Sequence, residues 1–214
     1  MGAKIYMRFF LFLCLIAIFA NNACAKEAKT ITSYLQNLQS VAMDFVQVDS
    51  RGAEAVGKLI IVKPHRFRCN YYAPYPLLVL GNKYEIILYD YQLEQTTRID
   101  SKENLFNFLL ADTTQWDKDF RMENIIHDNG ATLFKLYHYP TERTISVVLQ
   151  DKPLELKQII IDEPDGNIIE IIVSKMTNIK DVNLEIFSLR NPNVYGPPTR
   201  LDKGDIEKKY VDVK

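Results

Sequence analysis

The sequence predicts a mainly β fold with a few helices (α+β): an antiparallel sheet curled toward a barrel, with helices on its concave face. Three observations predict it. Roughly ten short apolar or alternating runs recur every 8–12 residues. Turn signals separate them, the strongest being Asn129-Gly130. Strands do not alternate with helices, which disfavours a parallel sheet. The chain has 214 residues, 47% of them apolar and 25% charged, which suits one globular domain rather than a disordered segment. Its 12 Tyr and 11 Phe favour strands or an aromatic-lined cavity.

The first 25 residues stand outside the fold. Lys4 and Arg8 precede an unbroken apolar run, Phe9 to Ala20, and Ala23-Cys24-Ala25 follows as an A-x-A cleavage signature. This is the pattern of a secretory signal peptide, and the run is shorter than the ~20 residues of a spanning helix. Cys24 raises a rival reading as a lipid-attachment cysteine, but Asn21 and Asn22 stand where that site wants Leu and small residues. The expected mature chain runs from Lys26 to Lys214 as a single domain. It loses Lys4 and Arg8 and is mildly acidic, which excludes a nucleic-acid binder driven by phosphate contacts. Cys69 is its one cysteine, so an internal disulfide is impossible and the core must carry stability.

The elements follow in order. Ile31, Tyr34, Leu35, Leu38 and Ala42 make one helical stripe, which predicts a helix over 31–40 capped by Thr30. From Met43 the period becomes two, with Met43, Phe45 and Gln47 on one face and Asp44, Val46 and Val48 on the other. Asp49 to Gly52 reads as a turn. Val56–Val62 and Arg66–Tyr72 read as strands, divided at Pro64. Ala73 to Pro76 breaks the pattern. Leu77–Leu80 and Tyr84–Tyr89 flank Gly81-Asn82 as a hairpin, and Gln95–Ile99 adds a short strand. Ser101 is the expected cap of a second helix. That helix, with Leu105, Phe106, Phe108, Leu109 and Leu110, is apolar on most sides and must be buried or cover something. Phe120–His127, Ala131–Tyr139, Ile145–Leu149, Leu154–Ile161 and Asn167–Val173 continue the strands, with Asp165-Gly166 as a turn. Leu184–Leu189 reads as a last strand, Pro192, Pro197 and Pro198 end regular structure, and Lys203 to Lys214 is a charged tail.

Catalytic chemistry finds little support. His65, His127 and His138 have no base or ligand partner at a recognisable spacing, and H-E-x-x-H, G-x-S-x-G and the P-loop are absent. Cys69 lies within a strand and reads as a small core residue, not a nucleophile. Asp90, Asp162 and Glu163 at strand ends read as solvated loop carboxylates. No catalytic residue, metal site or cofactor is expected.

Residues 57–95 are the most informative. Lys63, His65, Arg66 and Arg68 surround Pro64 as a basic rim, read either as a solvated edge or as the polar ring of a cavity mouth. Gly57, Leu59, Lys63, Pro64 and Phe67 run in order, preceded by Phe45 and Gln47 and followed by Gly81, Tyr89-Asp90 and Gln95. In this order and spacing the chain resembles the periplasmic outer-membrane lipoprotein carrier family (LolA) across nearly the whole mature length.

The resemblance implies an unclosed barrel whose helices cover a hydrophobic cavity. It implies a periplasmic, monomeric chaperone that is not an enzyme. Its cargo would be acylated lipoproteins, received from an inner-membrane ABC-type release complex and delivered to an outer-membrane receptor. Phe45, Leu59, Phe67 and Cys69 would wall the acyl-chain cavity, and Leu105, Phe106, Phe108, Leu109 and Leu110 would be its lid. Lys63 would gate the lid. Two positions depart from the family pattern. Lys63 stands where the family usually has Arg, which keeps the charge but loses the planar five-donor fork. Cys69 stands where it often has Trp, which locally widens the wall. Alternatives of the same fold are a periplasmic lipid or isoprenoid binder and the outer-membrane receptor of the same route.

Overall fold

A computed structural model describes residues 26–200. The expected signal peptide and the charged tail lie outside the described residues. The chain forms two compact units, one ending at Leu35 and one beginning at Gln36, and each is described by itself.

The first unit contributes a helix, α1, which runs over 26–37 and so ends just inside the second. Thr30 is not its cap. It lies within the helix, and its hydroxyl donates back to the Lys26 carbonyl at 3.0 Å.

The second unit is built on one antiparallel sheet of eleven strands. They are β1 (Ser40–Asp49), β2 (Glu54–Val62), β3 (Arg66–Tyr71), β4 (Leu77–Gly81), β5 (Glu85–Asp90), β6 (Gln95–Asp100), β7 (Phe120–Asp128), β8 (Ala131–His138), β9 (Arg143–Asp151), β10 (Leu154–Asp162) and β11 (Ile168–Asn178). Their spatial order is β6-β5-β4-β3-β2-β1-β11-β10-β9-β8-β7. Consecutive hairpins build each half, and the pairing of β1 with β11 joins the halves. The sheet is not closed, since β6 and β7 are its two edges. Asn129 and Gly130 both take positive φ, as the two-residue turn between β7 and β8 demands.

The strand period sorts residues onto two faces. On the outer face, Leu78, Leu80, Ile87 and Tyr89 form one buried cluster, and Ala42 and Ile60 form another with Ile179, Ile186 and Phe187. The chain after β11 therefore lies across the outside of the sheet. Arg68 fastens it there, with Nη1 donating to the Ile186 carbonyl at 2.9 Å and Nε donating to Asn70 Oδ1 at 3.2 Å.

That crossing corrects the expected strand at Leu184–Leu189. Leu184–Phe187 is a 3-10 turn capped by the Asn183 side chain. Ile186 and Phe187 are adjacent and both buried, which a strand with one covered face does not allow. Pro192 does not end structure here. It opens a short helix, α4 (Pro192–Tyr195), at a position where its missing N–H costs nothing.

Two further expectations shift. Gly81 is the last residue of β4, not the turn, and Asn82 Oδ1 instead accepts the N–H groups of Tyr84 and Glu85. The segment expected as one helix from Ser101 is two short pieces. A 3-10 turn at Ser101–Glu103 is capped by Asp100. It is followed by α2 (Asn107–Leu110). Beyond the expected segment lies α3 (Thr113–Asp119), capped by Asp112. Asn104 interrupts the run by accepting the Phe106 N–H on its side chain.

Candidate functional site

The inner face of the sheet is unevenly filled. Toward β7, β8 and β9 it is packed solid. Phe134, Leu136, Ile145 and Val147 are fully buried, and Trp116 from α3 packs against Phe120 at 5.7 Å between ring centroids. Toward β1–β6 it is hollow. A cavity of about 330 Å³ opens there, bounded also by β10, β11 and the segment before α3.

Strand register explains the wall. Met43, Leu59, Cys69, Val79 and Leu88 are successive cross-strand partners from β1 to β5 and form one row. Ile61, Phe67, Gly81 and Ile86 form the next. A neighbouring row is Phe45, Gly57 and Tyr71. In each of the last two rows a glycine makes room for a ring. A Cβ on Gly81 would stand 1.8 Å from Phe67 Cε1, and one on Gly57 would stand 2.6 Å from Phe45 Cζ. The phenyl rings thus lie flat across a strand that has no side chain beneath them. Phe45 also meets Tyr71 edge-on at 5.3 Å.

Phe45, Leu59, Phe67 and Cys69 all line this cavity. The residues not named from the sequence, such as Met43, Ile61, Val79, Ile86 and Leu88, line it too. They were recoverable by counting the period of two outward from Phe67 once the hairpin register was fixed. Cys69 is buried, and burial pushes its thiol up to about 12, so it is a wall residue and a poor nucleophile.

The cover is the segment from Glu103 to Leu110. Leu105, Phe106, Leu109 and Leu110 face the cavity. Phe108 does not. It packs on the filled side against Phe120, at 6.4 Å between centroids. The Phe108 carbonyl accepts the Trp116 Nε1–H at 3.1 Å, tying the cover to α3, an element that sequence reading missed.

Both ends of the cover are fastened at the same end of the sheet. The Ser101 hydroxyl donates to the Lys83 carbonyl at 2.7 Å. The His65 N–H donates to the Leu110 carbonyl at 3.2 Å. His65 reaches it with φ 66, a left-handed conformation forced by the tight Pro64 loop. Lys63, in the same loop, directs its Nζ toward the Gln36 carbonyl at 3.4 Å. Burial lowers its pKa to about 8. From this loop the backbone of His65 reaches the cover.

Among the described residues no cluster of three or more His, Cys, Asp or Glu is placed to hold an ion. No described helix is long and apolar enough to cross a membrane.

A sheet whose inner face is half solid and half hollow, with an apolar cover over the hollow, agrees with what sequence comparison returns. The profile of the family described as outer membrane lipoprotein carrier protein LolA matches residues 36–190. The chain belongs to the LolA family. It is 41% identical over 201 residues to an uncharacterized protein of Rickettsia prowazekii, covering 92% of each chain. It is 33% identical over 88 residues to the outer-membrane lipoprotein carrier protein of Chromobacterium violaceum, covering 38% of this chain and 43% of that one. Among solved structures it is similar to an uncharacterized conserved protein from Thermus thermophilus (TM-score 0.48, 9% identity, 77% of this chain and 94% of that one). It is also similar to a LolA superfamily protein from Nitrosomonas europaea (TM-score 0.45, 10% identity, 72% and 91%). The LolA match spans the cavity wall, the cover and most of the outer strap.

Proposed function

We propose that this chain is a periplasmic chaperone that carries lipoproteins by their acyl chains from the inner to the outer membrane. The observation that carries the reading is the apolar cavity under a cover whose two ends are both tied at one end of the sheet. Acyl chains would lie on the row of Met43, Leu59, Cys69, Val79 and Leu88, beneath Leu105, Phe106, Leu109 and Leu110. A chain secreted by a cleaved signal peptide would do this in the periplasm, without catalysis.

Energetics define the partners. Three chains of ~16 carbons at ~0.8 kcal/mol per CH₂ would be worth about 40 kcal/mol against water. Noncovalent affinity saturates near ~20 kcal/mol, and so tight a complex would never unload. The relevant exchange is bilayer for cavity, which is close to neutral for each CH₂. Loading then needs an external energy source, which an ABC-type release complex in the inner membrane supplies. Delivery needs a somewhat better acceptor, an outer-membrane receptor. The cavity of about 330 Å³ lies at the small end of the ~300–1,000 Å³ typical of ligand sites. Three chains therefore require the cover to lift, and Lys63, in the loop that fastens it, would bias it closed.

The test is release. Purified chain from Lys26 onward is added to spheroplasts of a cell carrying a matched release complex, and the soluble fraction is examined for acylated lipoprotein. ATP-dependent, stoichiometric release is expected. A folded chain that releases nothing, yet yields isoprenoid or free lipid on organic extraction, would replace the carrier reading with a lipid-binding module.

A further inference from the structure

The cavity is not apolar throughout: besides Glu103 and Asn104 of the cover, polar side chains border it at the far end of the strands. Register places the cover's fastenings beside Val62 and Ser40, which pair with each other. At the opposite end of the strands stand Gln47, Tyr71, Arg143 and Glu163, all of which border the cavity. Tyr71 donates its hydroxyl to Gln47 Oε1 at 2.8 Å. Arg143 Nη2 lies 3.1 Å from Glu163 Oε1 and donates to the Asp162 carbonyl at 3.1 Å. Arg143 shares its face with Ile145, and Glu163 with Ile161, so both continue the inner face beyond its last apolar residues. This is the end where the cover has no fastening.

Charge at this end is balanced. The Arg143 guanidinium is already paired with the Glu163 carboxylate. An anionic head entering here would find Arg143 compensated by Glu163 and that carboxylate close by. A neutral ester or amide head would find donors and acceptors without repulsion.

Resting on the carrier reading above, we infer that Arg143 and Glu163 form the head-group end of the cavity and select acyl ligands with neutral ester or amide heads against anionic lipids. Chains enter tail-first toward Phe67 and Leu110, and the carbonyls of the acyl linkage and the peptide beyond it stay at Gln47, Tyr71 and the Arg143–Glu163 pair. Glu163 is the discriminating group, because it cancels the attraction that Arg143 would otherwise exert on a carboxylate or phosphate.

Displacement of a neutral hydrophobic dye by two twelve-carbon probes tests this, with N-dodecanoyl glycinamide as the neutral head and dodecanoate as the anionic one. Wild type is expected to bind the amide about tenfold or more tightly than the carboxylate. In Glu163→Gln that ratio should fall to about threefold or less, through tighter dodecanoate binding. In Arg143→Gln it should widen. Each ratio is taken within one variant, so a partial loss of folded protein cancels. Equal affinities in wild type, or an unchanged ratio in Glu163→Gln, would overturn the assignment and leave the carrier reading intact. Failure of wild type to bind dye and both probes would overturn the two together.

Discussion

The two halves of the inner face are made of the same materials and do opposite things. From β7 to β9 the sheet carries Phe134, Leu136, Ile145 and Val147, none more than 1% exposed, and Trp116 and Phe120 fill the space above them. From β1 to β5 it carries residues of similar size, yet Leu59, Val79 and Leu88 are only half-buried because the cavity lies between them and the cover. Hydrophobicity alone therefore does not separate core from cavity. The difference lies in what crosses the face. Over one half runs α3 with its large indole, and over the other runs a segment broken by Asn104 and held at one end.

The largest effect should come from truncating each half in turn. Phe134→Ala empties packed space and should cost about 3–5 kcal/mol. Leu88→Ala removes a side chain that already faces a void, so little new cavity forms and the cost should stay under about 1.5 kcal/mol. Urea unfolding of both variants measures the contrast. Similar losses would show that the hollow half is packed in solution.

Next in size is Gly81→Ala. The new methyl would occupy the place of the Phe67 ring, a form of overpacking worth about 1–3 kcal/mol. If the ring instead swings inward, stability recovers at the expense of cavity volume, and dye capacity falls. Either result sharpens the contrast, since no residue on the solid side depends on a glycine in this way. Neither loss of stability nor loss of dye binding would show that Phe67 does not lie over Gly81.

A smaller effect joins the halves. Trp116→Phe keeps an aromatic ring but loses the bond to the Phe108 carbonyl, at a cost of about 1 kcal/mol. Faster dye entry than in wild type is the readout, and unchanged entry would show that α3 does not restrain the cover.

The smallest effects are pH dependences of the same sign in two separate pH windows. Burial lowers the Lys63 pKa from 10.5 to about 8. The unfolded chain therefore binds more protons between those values, and stability should rise as pH increases from about 8 to about 10.5. Lys63→Met should abolish that rise in thermal melts. On the solid side, burial lowers His138, with Asp119 opposing the shift. Its Nδ1 meets the Thr141 hydroxyl at 2.8 Å and its ring stacks on Phe120 at 4.7 Å. Stability should fall as pH drops below 6.5, where the unfolded histidine protonates first. His138→Phe should remove that loss, and an acid limb that persists would assign it to other groups.

Much of this was legible in the sequence, for physical reasons that differ by element. The hairpin at Asn129-Gly130 was readable because only such residues tolerate two successive positive φ angles. Phe45 and Phe67 were placed by resemblance, and the period of two placed Met43 and Gln47 on Phe45's face. The cover was visible as an apolar run but not as two short pieces, because Asn104 stops the helix through a side-chain bond that no periodicity records. Leu184–Leu189 was misread as a strand because a short apolar segment looks the same whether it pairs at an edge or lies across a face. The polar end of the cavity was invisible, since Arg143 and Glu163 meet only through the pairing of β9 with β10. Glu163 in particular reads as a solvated turn carboxylate until that pairing is known.

The most direct test uses two neighbouring residues. Ile171 lines the cavity, whereas Ile172, next in β11, is 42% exposed on the outer face. A photo-crosslinking side chain is placed at each position in turn, and cells are irradiated. The account predicts acylated lipoproteins attached at position 171 and none at position 172. Lipoprotein captured equally at both, or at 172 alone, would contradict it.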